Sequence, residues 1–142
     1  MRKNSLRKWI TLMQSILLVI FAVLIGGCAE TDQTDQINKF ITPQDAFTLM
    51  EENQNNPNFV IIDDRNTDAF NSGHIANATN IPWGADFADR VGKLDKNKIY
   101  LVYCPTGCGA TSRTMKELEF REVYEIEGGF NAWRAEGLPI EK

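Results

Sequence analysis

Short apolar runs alternate with segments of helical periodicity along most of the chain. The apolar runs are rich in β-branched and aromatic side chains and predict buried strands at residues 59–62, 99–103 and 123–126, with a further extended segment at 74–82. Capping signals and apolar positions at helical spacing predict helices at residues 43–52, 67–71, 85–91, 110–118 and 131–135. Buried strands that alternate with helices predict an α/β three-layer sandwich, with a central, mainly parallel sheet and helices on both faces.

The N-terminal segment has a different pattern. Residues 1–8 are basic, residues 9–25 are mostly apolar, and Gly26, Gly27 and Cys28 follow. This order resembles a bacterial lipoprotein signal peptide, which implies cleavage after residue 27 and lipidation of Cys28. An uncleaved membrane anchor, or a signal peptide cut at another position, is the alternative.

These patterns divide the chain into three parts. We expect a signal peptide at residues 1–27, a flexible tether at 28–39 because almost no apolar residue lies there, and one folded domain at 40–142. The expected location is the cell envelope, with the domain anchored to a membrane through lipid and facing outside the cytoplasm.

The charge of the chain excludes one class of partner. The formal net charge of the 142 residues is −4, and the first 27 residues carry four basic side chains and no acidic one, so the remainder is more acidic than the whole. Because a basic surface is lacking, we expect no nucleic-acid partner.

Candidate chemistry centres on Cys104, which follows the predicted strand at 99–103. Small residues that can turn sharply occupy positions 105–109, and a predicted helix begins directly after them. A cysteine between a buried strand and a helix N-terminus faces free backbone N–H groups, which predict a lowered pKa and a reactive thiolate. An unreactive buried cysteine is the alternative. Asp63 ends a second strand, and both residues fall at the edge of a parallel sheet where ligands bind.

Several motifs resemble the rhodanese (sulfurtransferase) family in its single-domain form. Residues 60–65 match an apolar strand that ends in Asp-x-Arg, residues 73–82 match its Gly-His-Ile and Asn-Ile-Pro segment, and residues 102–104 match the strand and nucleophile. The C-terminal match consists of Val123, Tyr124, Gly128, Gly129, Trp133, Gly137 and Pro139. The resemblance extends over residues 40–140 and implies the rhodanese-like form of the three-layer sandwich.

The loop after Cys104 departs from the family pattern. Typical rhodaneses close this loop with an arginine, whereas Gly109 and Ala110 occupy the fifth and sixth positions after the cysteine here. The departure disfavours tight binding of an anionic donor such as thiosulfate. It also disfavours cysteine phosphatase or arsenate reductase chemistry, which needs a guanidinium to hold an oxyanion. Arg113, one helical turn further on, is the candidate substitute.

The resemblance implies sulfur transfer through a persulfide on Cys104, from a thiosulfate- or persulfide-type donor to a thiol or cyanide acceptor. Loop amides are expected to stabilise the terminal sulfur. The expected substrate-binding residues are Thr106, Gly107, Cys108, Gly109, Ala110, Asp63 and Arg65. The sole histidine, His74, falls in a structural motif, and one histidine with two loop cysteines makes a poor metal site. No metal or organic cofactor is therefore expected, and no protein acceptor is specified.

Two other functions fit the same residues. Cys104 and Cys108 could form a thiol–disulfide redox pair. Alternatively, the fold could serve as a catalytically weak binding module tethered to a membrane.

Overall fold

Strands and helices alternate along residues 36–142, which are the residues that the computed structural model describes. Within this range the elements are β1 (Ile37–Ile41), α1 (Pro43–Glu52), β2 (Phe59–Asp63), α2 (Thr67–Ser72), β3 (Ala78–Asn80), α3 (Phe87–Val91), β4 (Ile99–Tyr103), α4 (Ala110–Glu117), β5 (Glu122–Ile126) and α5 (Gly129–Ala135). The strands run parallel in the order β1-β5-β4-β2-β3, with β4 at the centre of the sheet. The predicted parallel α/β architecture is confirmed.

The edge strand β1 was not predicted. It begins at Ile37, inside the segment that the sequence analysis assigned to the tether, so a tether that ends at residue 39 is too long. The segment is polar, but its polar side chains find partners on the neighbouring elements. The amide group of Gln36 donates to the carbonyl oxygen of Phe120 at 3.1 Å, and that of Asn38 to the carbonyl oxygen of Ser112 at 2.6 Å. Pairing with β5 therefore creates a strand that the apolar pattern does not reveal.

Two apolar cores cover the two faces of the sheet. Because successive strand residues point to opposite faces, Ile61 and Leu101 lie in one core and Ile62 and Val102 in the other. The first core includes Ala46 of α1 with Phe130 and Trp133 of α5, and the second includes Phe87 and Val91 of α3 with Met115 of α4. Helices thus cover both faces, as predicted.

Helix α1 shows how local sequence sets a boundary. Thr42 lies before the first turn, and its Oγ1 accepts a hydrogen bond from the N–H of Asp45 at 3.1 Å. Pro43 occupies the first helical position, where no backbone donor is needed. Among residues 36–142, no helix is long and apolar enough to cross a membrane. The predicted signal peptide and the predicted lipidation site at Cys28 lie outside this range.

Candidate active site

Cys104 lies directly after β4, at the carboxyl end of the central strand, and is only 2% exposed. The first turn of α5 holds the chain at this point. The N–H of Phe130 donates to the carbonyl oxygen of Cys104 at 2.9 Å, and the N–H of Asn131 donates to that of Pro105 at 3.1 Å. The loop at residues 104–109 is therefore fixed to a helix that lies more than twenty residues further along the chain.

The loop and α5 meet through glycine backbones. Gly107 and Gly129 both adopt positive φ angles, +67° and +58°. A Cβ atom at Gly129 would lie 2.2 Å from the carbonyl oxygen of Cys104, and one at Gly107 would lie 2.6 Å from the nitrogen of Gly128. Only glycine permits this contact, because each extra carbon would overlap a backbone atom of the other segment.

The Cys104 sulfur accepts hydrogen bonds from two loop amides. The N–H groups of Gly107 and Cys108 point to Sγ at 2.9 and 3.2 Å. Paired amides of this kind form a small concave site that stabilises negative charge on the sulfur. Two of the predicted binding residues thus contact the nucleophile through their backbone.

The N-terminus of α4 is already occupied by a carboxylate. Glu125 of β5 is fully buried and accepts hydrogen bonds from the N–H of Gly109 at 2.8 Å, the N–H of Ser112 at 3.4 Å and the hydroxyl of Ser112. Because Gly109 precedes the helix and has no side chain for capping, Glu125 supplies the cap from another strand. The expectation that the Gly109 amide stabilises the sulfur is corrected, since that amide bonds to Glu125.

The Cys104 thiol is less acidic than the sequence predicted. Burial raises the pKa of Cys104, and the Cys108 thiol and the charge of Asp64 add to the rise, while the loop N–H groups oppose it. The expected lowered pKa is therefore wrong for this conformation. The main physical reason is burial of the thiol. Helix α4 does not offset it, because its first N–H groups bond to Glu125, and the loop carries no arginine.

Asp64 is a buried carboxyl group beside the nucleophile. It is 4% exposed and accepts a hydrogen bond from the hydroxyl of Thr111. Burial raises its pKa from 3.8 to about 6, the Thr111 bond lowers it, and the negative charge of Glu125 raises it further. Asp64 can therefore exchange a proton close to neutral pH.

The second cysteine of the loop lies in contact with the first. The Sγ atoms of Cys104 and Cys108 are 3.4 Å apart, both thiols are free, and Cys108 is exposed. Within residues 36–142, these two sulfurs and an oxygen of Glu125 are the one group with metal-ligand spacing, all within 4.8 Å of one another. Both oxygens of Glu125 already accept hydrogen bonds, so a metal ion would compete with the cap of α4.

Asp63 and Arg65 form a buried ion pair on the opposite face of the sheet. The guanidinium of Arg65 donates to both oxygens of Asp63, the shortest contact being 2.6 Å, and also to the carbonyl oxygen of Gly73 at 2.7 Å. The same guanidinium lies 3.6 Å from the centre of the Phe130 ring. These two predicted binding residues therefore support α5 and the turn that follows α2.

The remaining candidate residues are Thr106, Ala110, Arg113 and His74. Thr106 is exposed, and Ala110 is the first residue of α4. Arg113 is exposed on α4, and among residues 36–142 no hydrogen bond or ion pair joins its side chain to the Cys104 loop. His74 stacks on Phe70 with ring centres 3.9 Å apart, and its Nδ1 lies 3.1 Å from the Phe70 carbonyl oxygen.

Comparison with known proteins agrees with this geometry. Residues 47–136 match the model of the rhodanese-like domain. The chain belongs to the rhodanese family. A thiosulfate sulfurtransferase GlpE from Coxiella burnetii (strain RSA 331 / Henzerling II) is 35% identical over 99 residues, which is 68% of this chain and 88% of that protein. The uncharacterized protein YibN from Escherichia coli (strain K12) is 29% identical over 136 residues, 93% of this chain and 85% of that protein.

The fold of this rhodanese-like domain has solved counterparts. The solution structure of the rhodanese-like domain of the Alr3790 protein from Anabaena sp. superposes with a TM-score of 0.58 at 28% identity. That match covers 71% of this chain and 76% of the other. The resemblance stated from the motifs is therefore confirmed for both the family and the fold.

Three side chains at the site of this rhodanese-like domain were not predicted: Asp64, Thr111 and Glu125. One available signal was the alternation of strand residues. Glu125 occupies the same face of its strand as the buried Val123, and a charged residue at such a position needs a polar partner. Asp64 follows Ile62 on that face in the same way.

Proposed function

We propose that this protein is a membrane-anchored sulfurtransferase outside the cytoplasm that carries sulfur as a persulfide on Cys104. One observation carries the proposal. The buried Cys104 sulfur, at the end of the central strand, accepts hydrogen bonds from the N–H groups of Gly107 and Cys108. The same two donors are placed to stabilise an anionic sulfur chain built on this atom. Membership of a family that includes thiosulfate sulfurtransferases supports the same chemistry.

The loading step suits a donor that is itself a persulfide. The Cys104 sulfur attacks the terminal sulfur of the donor, the donor's sulfur–sulfur bond breaks, and the donor leaves as a thiol. Because burial raises the pKa of Cys104, the thiol keeps its proton at neutral pH, and the departing donor thiolate is a suitable acceptor for that proton. When the donor is a persulfide anion, the neutral Cys104 thiol and this anion give a Cys104 persulfide anion and a neutral donor thiol, so charge and atoms balance.

The charge around Cys104 favours such a donor over thiosulfate. Glu125 and Asp64 lie beside the loop, whereas the guanidinium of Arg65 is bonded to Asp63 on the other face of the sheet. A dianionic donor would approach two carboxyl groups, and the Arg65 guanidinium, already paired with Asp63, would not offset the repulsion. We therefore expect weak use of thiosulfate, although relatives are named for it.

The second half-reaction removes the outer sulfur. A thiol or cyanide attacks that atom, the bond to Cys104 breaks, and the Cys104 thiol is restored. No metal or organic cofactor takes part in this scheme.

Anchoring through Cys28 is the proposed location signal. Its support is the basic, apolar and Gly-Gly-Cys order of the first 28 residues. Radiolabelled fatty acid should enter the wild-type chain but not Cys28→Ser, and equal labelling of the two would rule out this anchor.

Mass measurement of the chain after exposure to glutathione persulfide tests the function. Wild type should gain one sulfur atom and then release it to cyanide as thiocyanate, whereas Cys104→Ser should do neither. The serine Oγ can accept hydrogen bonds from the same two amides. We therefore expect Cys104→Ser to lower the unfolding free energy by less than about 1.5 kcal/mol. A folded Cys104→Ser that still produces thiocyanate would overturn the assignment. A wild type that neither gains sulfur nor releases sulfide would favour a binding module.

A further inference from the structure

Cys104 and Cys108 differ in exposure but touch each other. The buried Cys104 sulfur lies 3.4 Å from the exposed Cys108 sulfur, which is van der Waals contact. The backbone fixes this arrangement, because the N–H of Cys108 also bonds to the Cys104 sulfur at 3.2 Å. A thiol is thus held against the atom on which the proposed persulfide forms.

We propose that Cys108 ends the reaction by releasing the bound sulfur as sulfide, an inference that rests on the proposed persulfide at Cys104. The Cys108 thiol passes its proton to the outer sulfur and attacks the Cys104 Sγ, a bond forms between the two cysteine sulfurs, and the bond from Sγ to the outer sulfur breaks. The outer sulfur, present as the persulfide anion, leaves with that electron pair and that proton as hydrosulfide. The two cysteines are oxidised to a disulfide while the sulfane sulfur is reduced to sulfide, so the electrons balance.

The contact distance favours attack on this atom. The structure places Cys108 against the inner sulfur, and holding two reactants together converts a bimolecular step into an intramolecular one. Hydrosulfide is also a weaker base than a cysteine thiolate, and the weaker base leaves faster in thiol–disulfide exchange. Both effects direct the reaction towards sulfide release.

The resulting disulfide is suited to rapid reduction. It would close a ring across only three intervening residues, and its Cys108 side is exposed to solvent. Strained or exposed disulfides are the labile ones. A reduced dithiol would attack the Cys108 sulfur, restore both cysteines and leave as its own disulfide. The chemistry therefore identifies the partner of this step as a dithiol reductant.

Single-turnover loading tests the proposal. The full chain is loaded with one sulfur from glutathione persulfide, excess donor is removed, and sulfide and intact mass are followed with no reductant present. Wild type should release about one sulfide per loaded chain and lose two hydrogen atoms relative to its reduced form. Peptide mapping should find the bond between Cys104 and Cys108. The matched variant Cys108→Ser keeps the backbone N–H and should retain the added sulfur, with loss of sulfide release.

Each outcome has one meaning. A wild type that keeps its sulfur as long as Cys108→Ser overturns the sulfide-release step, as does mapping the sulfur to Cys108. If Cys108→Ser itself takes up no sulfur while remaining folded, the proposed function fails instead. Rapid recovery of both thiols on adding a dithiol is expected, and a disulfide that resists the dithiol would overturn the reset step.

Discussion

Two neighbouring aspartates, Asp63 at the end of β2 and Asp64 directly after it, have opposite surroundings. Asp63 points to the face covered by α5, where Arg65 pairs with both of its oxygens. Asp64 points to the face covered by α4, where it accepts a hydrogen bond from the neutral hydroxyl of Thr111. Both are buried, at 0% and 4% exposure. The period of two along an extended chain is enough to separate them.

The difference separates a structural charge from a titratable one. Asp63 is compensated by a guanidinium in the same buried site. Asp64 forms no ion pair with any residue of the range 36–142, and burial raises its pKa to about 6. Its charge acts on Cys104 and raises the pKa of that thiol as well. Residue type is therefore no guide to role at this sheet edge, and the face of the sheet decides it.

Breaking the structural pair should have the largest effect. Arg65→Leu leaves Asp63 buried without its counter-ion and removes the guanidinium from the Phe130 ring. Loss of one member of a buried pair costs about 3–5 kcal/mol. We expect a decrease of this size in the unfolding free energy of the full chain, measured by urea denaturation.

Arg113→Leu is the matched control, because it removes an exposed arginine from α4. It should change the unfolding free energy by less than about 0.5 kcal/mol. If the two leucine variants lose equal stability, the Asp63–Arg65 pair does not have the structural role assigned to it.

Neutralising the titratable aspartate should have a smaller, pH-dependent effect. Asp64 has a pKa of about 6 when folded against 3.8 ordinarily, so folding favours its protonated form. Its contribution to stability is therefore full below pH 3.8 and is lost as the pH rises through 6. Asp64→Asn removes this loss. The unfolding free energy of Asp64→Asn, relative to that of wild type, should increase by roughly 1–3 kcal/mol between about pH 4 and about pH 7. Urea denaturation at each pH measures this increase.

The smallest change concerns the hydroxyl that bonds to Asp64. Thr111→Val removes the side-chain hydrogen bond that lowers the pKa of Asp64. The pKa of Asp64 should therefore rise further. A shift below about one unit is expected, the usual scale for one hydrogen bond. Carbon-13 NMR of the Asp64 carboxyl group measures it. A downward shift would show that burial does not control this group.

Much of the fold could be predicted from local pattern. The strands at 59–63 and 99–103 are continuous apolar runs, and Thr42 and Pro43 mark the start of α1 by their own chemistry. Strand β1 could not be predicted in this way, since it depends on pairing with β5, a contact between residues about 85 positions apart. Long-range pairing leaves little trace in a polar segment.

The site was predictable only in part for a similar reason. Cys104 and the glycines of its loop stand together in sequence, so the nucleophile could be located. The acidity of the thiol depends first on its burial, which raises the pKa, and then on the N–H groups left to offset that rise. Glu125 of β5 takes the Gly109 amide, so this amide does not bond to the sulfur. Neither the burial nor a capping partner from a different strand can be seen in the local sequence.

The unequal exposure of the two thiols makes the loop selective for the size of a reactant. A bulky electrophile arriving from solvent meets Cys108 first, because Cys104 is only 2% exposed. The proposed chemistry requires only that the terminal sulfur of a donor reach Cys104. Bulky thiol-labelling reagents should therefore modify Cys108 first. The labelled cysteine would be the neighbour of the proposed nucleophile and not the nucleophile itself.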